Sequence, residues 1–446
     1  MARIPCDLAL IGATVLPFDR DFSTLADCDI VISKGRIEAL GPGAAAVFAP
    51  DRVLDGRKLI VIPGLCNGHT HSTEALARGR ADGARLDVWI EQVWALMDHS
   101  ALASLELAVF LSAAEMLHGG VTSVVDHFRQ IPMRNEAVDA VAQAWQRTGM
   151  RSMLAIMLRD RGTPGWVAGK LPGASDQLAL CAKANRRWQS NRLQVALGPS
   201  APTRCSDQLL AGVSKLAADE GMRVHMHIDE TREEAARARL LFGQSAVRHL
   251  GRMQLLGPHL TLAHAVWVDE GDIALLGTTR TGVVHNPLSN MRLGSGRAPL
   301  EQFRSGGVPI AIGTDGAASN DSQNVLEAVK LAALLPRIAL QDPGQWPLAR
   351  DVLNTAATSA ATLFGMGAGL LAAGEPADLA AFDADALGLV PPGDLYSQIG
   401  LAGVSLFARH VIVAGEAVLL DGSIRTFDEH AVRDQARRMR LPELQS

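Results

Sequence analysis

The sequence has no C-x-x-C pair, no Walker loop, no dinucleotide fingerprint and no uninterrupted apolar run of 18 residues. The absent phosphate loops remove the nucleotide-binding readings, and the absent long run removes a membrane span. The start, MARIPCDLALIGATVL, lacks the basic residues, continuous apolar stretch and small-residue cleavage site of a secretory leader. The five cysteines (Cys6, Cys28, Cys66, Cys181, Cys205) are odd in number and scattered, so free thiols in a reducing cytoplasm are expected rather than a disulfide framework. Asn320-Asp321-Ser322 matches a glycosylation acceptor that a cytoplasmic chain does not use. Blocks of like charge are also missing, and a net charge of −5 is small for 446 residues. No nucleic-acid or membrane partner is therefore indicated, and a small molecule is.

What is present can fill large cores: 48% of the residues are hydrophobic. Residues 1–57 read as short strands and turns (Asp7 to Val15, Cys28 to Ser33, Arg36 to Leu40), and the same texture returns in 369–446, for example at His410 to Ala414 and Val418 to Leu420. Two β-rich ends around one long middle predict a small composite β-sandwich built from both termini. In 58–368, short β-branched runs alternate with stretches of helical spacing. Eight runs stand out: Leu59 to Leu65, Val121 to Asp126, Arg151 to Met157, Leu193 to Leu197, Arg223 to Ile228, Leu260 to Ala265, Gly282 to His285 and Val308 to Gly313. Ala103 to His118, Asp207 to Glu220 and Thr231 to Leu241 are helix candidates between them. The fold class is accordingly α/β, a (β/α)₈ TIM-like barrel with the terminal sandwich as a second domain; an open doubly wound sheet fits the count less well.

Barrel enzymes place their chemistry at the carboxyl ends of the strands, and histidines and acids gather there. His69-Thr70-His71 follows the first run, and residues two apart in an extended segment share a face, so both imidazoles can reach one ion. His227 closes the fifth run three residues before Glu230, so the imidazole can bind metal while the carboxylate handles protons. His225 alternates with His227 and is read as a buried, hydrogen-bonded strand histidine; Asp229 is read as a loop or helix-capping acid. His264 ends the sixth run, and Asp315 follows the eighth, where an acid can ligate an ion and accept a proton from its water. Imidazoles plus one carboxylate satisfy a borderline divalent cation and leave a place for solvent. Glu230 would then supply a proton to the substrate, and His264 would orient or stabilise the attacked oxygen. His127 is close enough to the mouth to touch substrate, His118 ends a helix, and Arg159 and Arg161 after the third run suit an anion.

The segments Pro63-Gly64-Leu65 to His69-Thr70-His71, His227 to Glu230, Leu262-Ala263-His264, His285 to Asn290 and Gly313-Thr314-Asp315-Gly316 resemble the aminohydrolase branch of the amidohydrolase superfamily, the group of triazine hydrolases and of guanine-type and adenosine-derivative deaminases. The likeness runs in order along nearly the whole chain. It implies His69, His71, His227 and Asp315 as metal ligands, with Glu230, His264 and Asp315 as the catalytic set. His285 and Asn290 lie in its seventh-strand motif, as support around the mouth. Binuclear branches carry a lysine at the end of the fourth strand, where this chain reads Val195-Ala196-Leu197-Gly198-Pro199, so one ion is implied, Zn²⁺ first and Fe²⁺ second. The zinc-deaminase signature H-x-E with P-C-x-x-C is absent. Leu86 to Trp94 is similar to the segment that supplies an aromatic wall in adenosine-derivative deaminases; Trp89 fits it, and the place of the family's carboxylate holds Asp98. The implied activity is hydrolytic deamination of an amino-substituted N-heterocycle with release of ammonia. Cleavage of an amide or C–Cl bond is the alternative on the same scaffold, and a non-catalytic scaffold the alternative of another class. Homo-oligomerisation is common in the family, though no residue of the sequence specifies it.

Overall fold

The fold comes from a computed structural model that describes residues 3–97, 100–129, 131–162, 171–367 and 369–439. Eight parallel strands pair in chain order: Leu65–Thr70, Val121–Phe128, Arg151–Leu158, Leu193–Pro199, Val224–Ile228, Leu260–His264, Gly282–His285 and Ile310–Ile312. Helices fall between them, so the strands are covered on both faces and read as nearly continuous apolar runs. The ring closes at its mouth, where the Asp315 N–H donates to the His69 carbonyl (2.9 Å) and Asn67 exchanges two hydrogen bonds with Thr314 (2.7 and 3.0 Å).

Period-two alternation decides what faces inward. In the fifth strand Val224, Met226 and Ile228 pack outward with the helices, which turns His225 and His227 towards the axis. Lower in the barrel the axis is filled by small and medium side chains, among them Cys66, Val125, Ala155, Ala196 and Ala311, over a floor of Leu363 and Phe364. The imidazoles therefore sit on a dry, packed plug rather than over a pore.

Among the described residues, the other nine strands form one mixed sheet from both ends of the chain. It curls until the turn Lys34-Gly35 backs onto Ala414-Gly415, where a Cβ on Gly415 would lie 2.8 Å from the Gly35 Cα. The run Leu59 to Leu65 corrects one expectation. Leu59–Pro63 is not a barrel strand: it pairs antiparallel with Leu379–Asp383 and parallel with Ile4–Val15. The first barrel strand begins after Gly64, whose Cβ position lies 2.1 Å from Thr122 Oγ1, so the crossing between sheet and barrel needs glycine. Thr231, not Asp229, caps the helix Arg232–Phe242, its side chain accepting from Glu234 N–H (3.1 Å). His118 is the last residue of the helix Leu102–His118 and pairs with Glu429 (3.0 Å). No helix among the described residues is long and apolar enough to cross a membrane.

A buried ion pair ties the two parts together. Arg151 on the third barrel strand donates to Asp378 (2.8 Å), whose other oxygen accepts from Ala414 N–H (2.7 Å). Asp378→Ala leaves the guanidinium buried and unpaired, and should lower unfolding stability by about 3–5 kcal/mol. Urea denaturation followed by circular dichroism measures it, and a loss near zero would mean that water replaces the carboxylate.

Candidate active site

Strand ends from opposite sides of the barrel bring His69, His71, His227, Glu230, His264 and Asp315 into one buried cluster. His264 (φ 73°) and Asp315 (φ 64°) adopt left-handed backbone where their strands end. This conformation is unfavourable for a side-chain-bearing residue, and packing at the mouth holds it in place.

The hydrogen bonds around the rings fix which nitrogens are bare. His71 Nδ1 donates to the His127 carbonyl and His227 Nδ1 to the Ser200 carbonyl, each at 2.6 Å. Both Nε2 atoms therefore carry lone pairs, and they face each other at 3.1 Å. Lone pairs so placed repel unless a cation lies between them. His69 Nε2 is buried without a hydrogen-bond partner, and Asp315 Oδ1 stands 3.4 Å from it and 3.5 Å from His71 Nε2. Nitrogens held about 2.0–2.1 Å from one tetrahedral ion would be roughly 3.3–3.4 Å apart. The spacing fits a divalent metal.

Asp315 is held from several sides: Ser289 Oγ donates to Oδ2 (2.6 Å) and Gly316 N–H to Oδ1 (2.7 Å). Burial opposes its ionisation, but the neighbouring imidazoles of His69, His71 and His264 keep its carboxyl well below the usual range. Burial lowers His69 to about 4 and holds His227 well below its ordinary value, so both rings are neutral ligand candidates. Glu230 is pushed up to about 7, first by burial and then by Asp315 and Glu234 against the opposing pull of His264 and Arg204. Its Oε1 accepts from Ser295 Oγ (3.3 Å) and its Oε2 lies 3.8 Å from His264 Nε2. Asn290 Oδ1 fixes His264 at Nδ1 (2.9 Å), and although burial works against the cation, Glu230 and Asp315 raise the His264 pKa.

Beside the cluster lies a narrow pocket lined by Glu74, Trp89, Trp94, Arg204 and Leu293, together with His71, His227, Glu230 and Asp315. It adjoins an outer cleft of ≈ 300 Å³ that shares Leu86, Ile90, Arg204 and Leu293. Trp89 thus lines the pocket, its indole N–H donating to the Ala318 carbonyl (3.0 Å). Asp98 lies outside the described residues. His127 packs against the clustered imidazoles: its Nε2 donates to the Gly198 carbonyl (2.9 Å), and its ring stacks 5.6 Å from that of His71. The Arg159 guanidinium lies 5.7 Å over the Trp94 ring, while Arg161 donates its N–H to the Arg204 carbonyl (3.1 Å). None of these three lines the pocket or the cleft.

Sequence reasoning passed over Glu74 and Arg204. Glu74 is buried, accepts from Ser319 Oγ (3.2 Å), and is raised well above the usual carboxylate value by burial and then by Asp315. Its place three residues after His71 was the available signal. Arg204 lies on the turn after the fourth strand, and no local spacing marks it as a site residue.

A parallel eight-stranded barrel whose mouth gathers three bare imidazole nitrogens and one carboxylate is the architecture of a metal-dependent hydrolase. The amidohydrolase family pattern matches residues 60–418, and the chain belongs to that family. It is 34% identical over 441 residues, 98% of this chain and 97% of the relative, to a 5-methylthioadenosine/S-adenosylhomocysteine deaminase of Nitratidesulfovibrio vulgaris. It is 32% identical over 436 residues to a 5'-deoxyadenosine deaminase of Methanosarcina mazei, covering 97% of each chain. Among solved structures, an adenosine deaminase from Xanthomonas campestris with bound zinc superposes with a TM-score of 0.90 at 28% identity over 98% of both chains. An atrazine chlorohydrolase from Arthrobacter aurescens complexed with zinc gives 0.88 at 25% identity, covering 96% of this chain and 99% of that one.

Proposed function

We propose that this protein is a hydrolytic deaminase that uses one divalent ion to remove an amino group, as ammonia, from an N-heterocycle of the adenosine-derivative kind. The facing lone-pair nitrogens of His71 and His227, 3.1 Å apart with both Nδ1 protons committed elsewhere, carry the reading. The activities named for the relatives and the zinc in the solved neighbours support it. We assign His69, His71, His227 and Asp315 as the ligands, zinc as the ion with iron second, and Trp89 with Trp94 as walls for the ring. The five buried free cysteines support a reducing cytoplasm as its setting.

A divalent ion held by His69, His71, His227 and Asp315 would supply Lewis acidity, which brings the pKa of water from about 16 towards about 7. The chain's own groups do the rest. Glu230, protonated up to about pH 7, holds the proton that a ring nitrogen or a leaving amine needs. His264, anchored at Nδ1 by Asn290, directs Nε2 towards the space between Glu230 and Asp315, where it can steady the attacked oxygen. The tryptophans and Leu293 exclude competing water.

Stripping the protein with a chelator should reduce ammonia release to background, and stoichiometric zinc should restore it. Metal-quantified enzyme offered adenosine derivatives, purines, pterins and triazines tests the substrate class. No ammonia from any of them rejects the deaminase reading, and chloride release from a chlorotriazine alone would move the assignment to a chlorohydrolase.

A further inference from the structure

His69 is held differently from the other two imidazoles of the cluster. His71 and His227 give their Nδ1 protons to main-chain carbonyls, whereas His69 Nδ1 lies 2.7 Å from Nε2 of another side chain, His225. His225 Nδ1 lies in turn 2.7 Å from Oγ1 of Thr261. The parallel register of Val224–Ile228 and Leu260–His264 sets His225 directly beside Thr261. All three residues are shut off from solvent, so no water competes for these contacts.

The direction of donation follows from the chemistry of the cluster. For His69 to present Nε2 as a lone pair, its proton must sit on Nδ1, and only an acceptor can face it there. His225 Nε2 accepts only if the His225 proton is on Nδ1, and the Thr261 oxygen then takes that hydrogen bond. The reverse order would put a proton on His69 Nε2, aimed at Asp315 where the cation belongs. A separation of 2.7 Å is also shorter than that of two ligands on one ion, which places His225 behind His69 rather than beside it.

We propose that His225 and Thr261 are positioning residues that hold His69 in its Nδ1–H tautomer and so set how tightly the site keeps its metal. This rests on the metal-dependent reading above. A carboxylate or carbonyl behind a metal-binding histidine is the common device, and its loss typically weakens metal binding about 10–100-fold. Here a second imidazole and a threonine take that place.

Zinc affinity by chelator competition, together with the visible spectrum of cobalt-substituted enzyme, tests the relay in His225→Phe, Thr261→Val and His225→Gln. His225→Phe should bind zinc roughly 10–100-fold more weakly, with the KM of metal-saturated enzyme changed less than about twofold. Thr261→Val should move in the same direction by less. His225→Gln, whose amide oxygen can accept the His69 proton, should recover most of the loss. Unchanged affinity in both His225→Phe and Thr261→Val overturns the relay, as does a cobalt spectrum showing one ligand fewer, which would make His225 a ligand. Should His225→Phe not fold, the near-isosteric Thr261→Val and the Gln variant decide. Wild-type protein that binds no zinc would overturn the metal-dependent reading itself, an outcome separate from failure of the relay.

Discussion

Asp315→Asn is expected to lower kcat by about 10³-fold or more, with metal content falling alongside. The carboxylate is the anion of the cluster, and its Oδ1 stands 3.4 and 3.5 Å from two bare nitrogens. Both of its oxygens also accept donors, Ser289 Oγ–H and Gly316 N–H. An amide removes the charge and, whichever way it turns, sets an NH₂ group against one of those donors. The cost falls on the ion and on the backbone turn at once. Ammonia release and metal content measured on the same preparation read both effects, and near-wild-type turnover would reject the role assigned to Asp315.

How far the site could be read from the chain depends on periodicity. His69, His71, His227, His264 and Asp315 were legible because strand ends in a parallel barrel meet at one mouth, and a period of two tells which side chains enter it. The same period cannot rank His225 against His227, since both point inward. Depth along the axis separates them: His227 meets His71 Nε2, whereas His225 reaches the far nitrogen of His69. Leu59 to Leu65 misled for a related reason, because a strand buried on both faces in the terminal sheet has the same composition as a barrel strand. Only Gly64 marks the crossing.

Loop residues obey no such period. The sequence suits Arg159 to an anion, and its guanidinium also lies 5.7 Å over the Trp94 ring, a packing contact with no local signature. Arg204, on a short 3-10 turn after the fourth strand, is the arginine that reaches both pocket and cleft. Its position depends on Ser200 and Glu234 (each 3.5 Å away), contacts that no local pattern announces. Ser289 lay inside a motif recognised as support, but its partner Asp315 follows the next strand, and that pairing exists only once the barrel has closed.

Glu230→Gln should lower kcat by about 10²–10⁴-fold while the protein keeps its metal. Glu230 is set apart from the facing nitrogens: its Oε2 is nearest His264 (3.8 Å), and its main-chain N–H is held by Glu234 (3.1 Å). The amide preserves shape and can still accept from Ser295, so the ion site survives, but it has no acidic proton to give. The pH profile carries the sharper signature. Burial raises the carboxyl to about 7, so the acid form is full below that pH and is lost as pH rises through it. Wild-type kcat/KM should therefore fall on the alkaline side with an apparent pKa near 7, and that limb should vanish in Glu230→Gln, leaving a low, flat rate. Loss of metal in the variant would make Glu230 a ligand, and survival of the limb would assign the titrating proton to another group, with His264 the nearest.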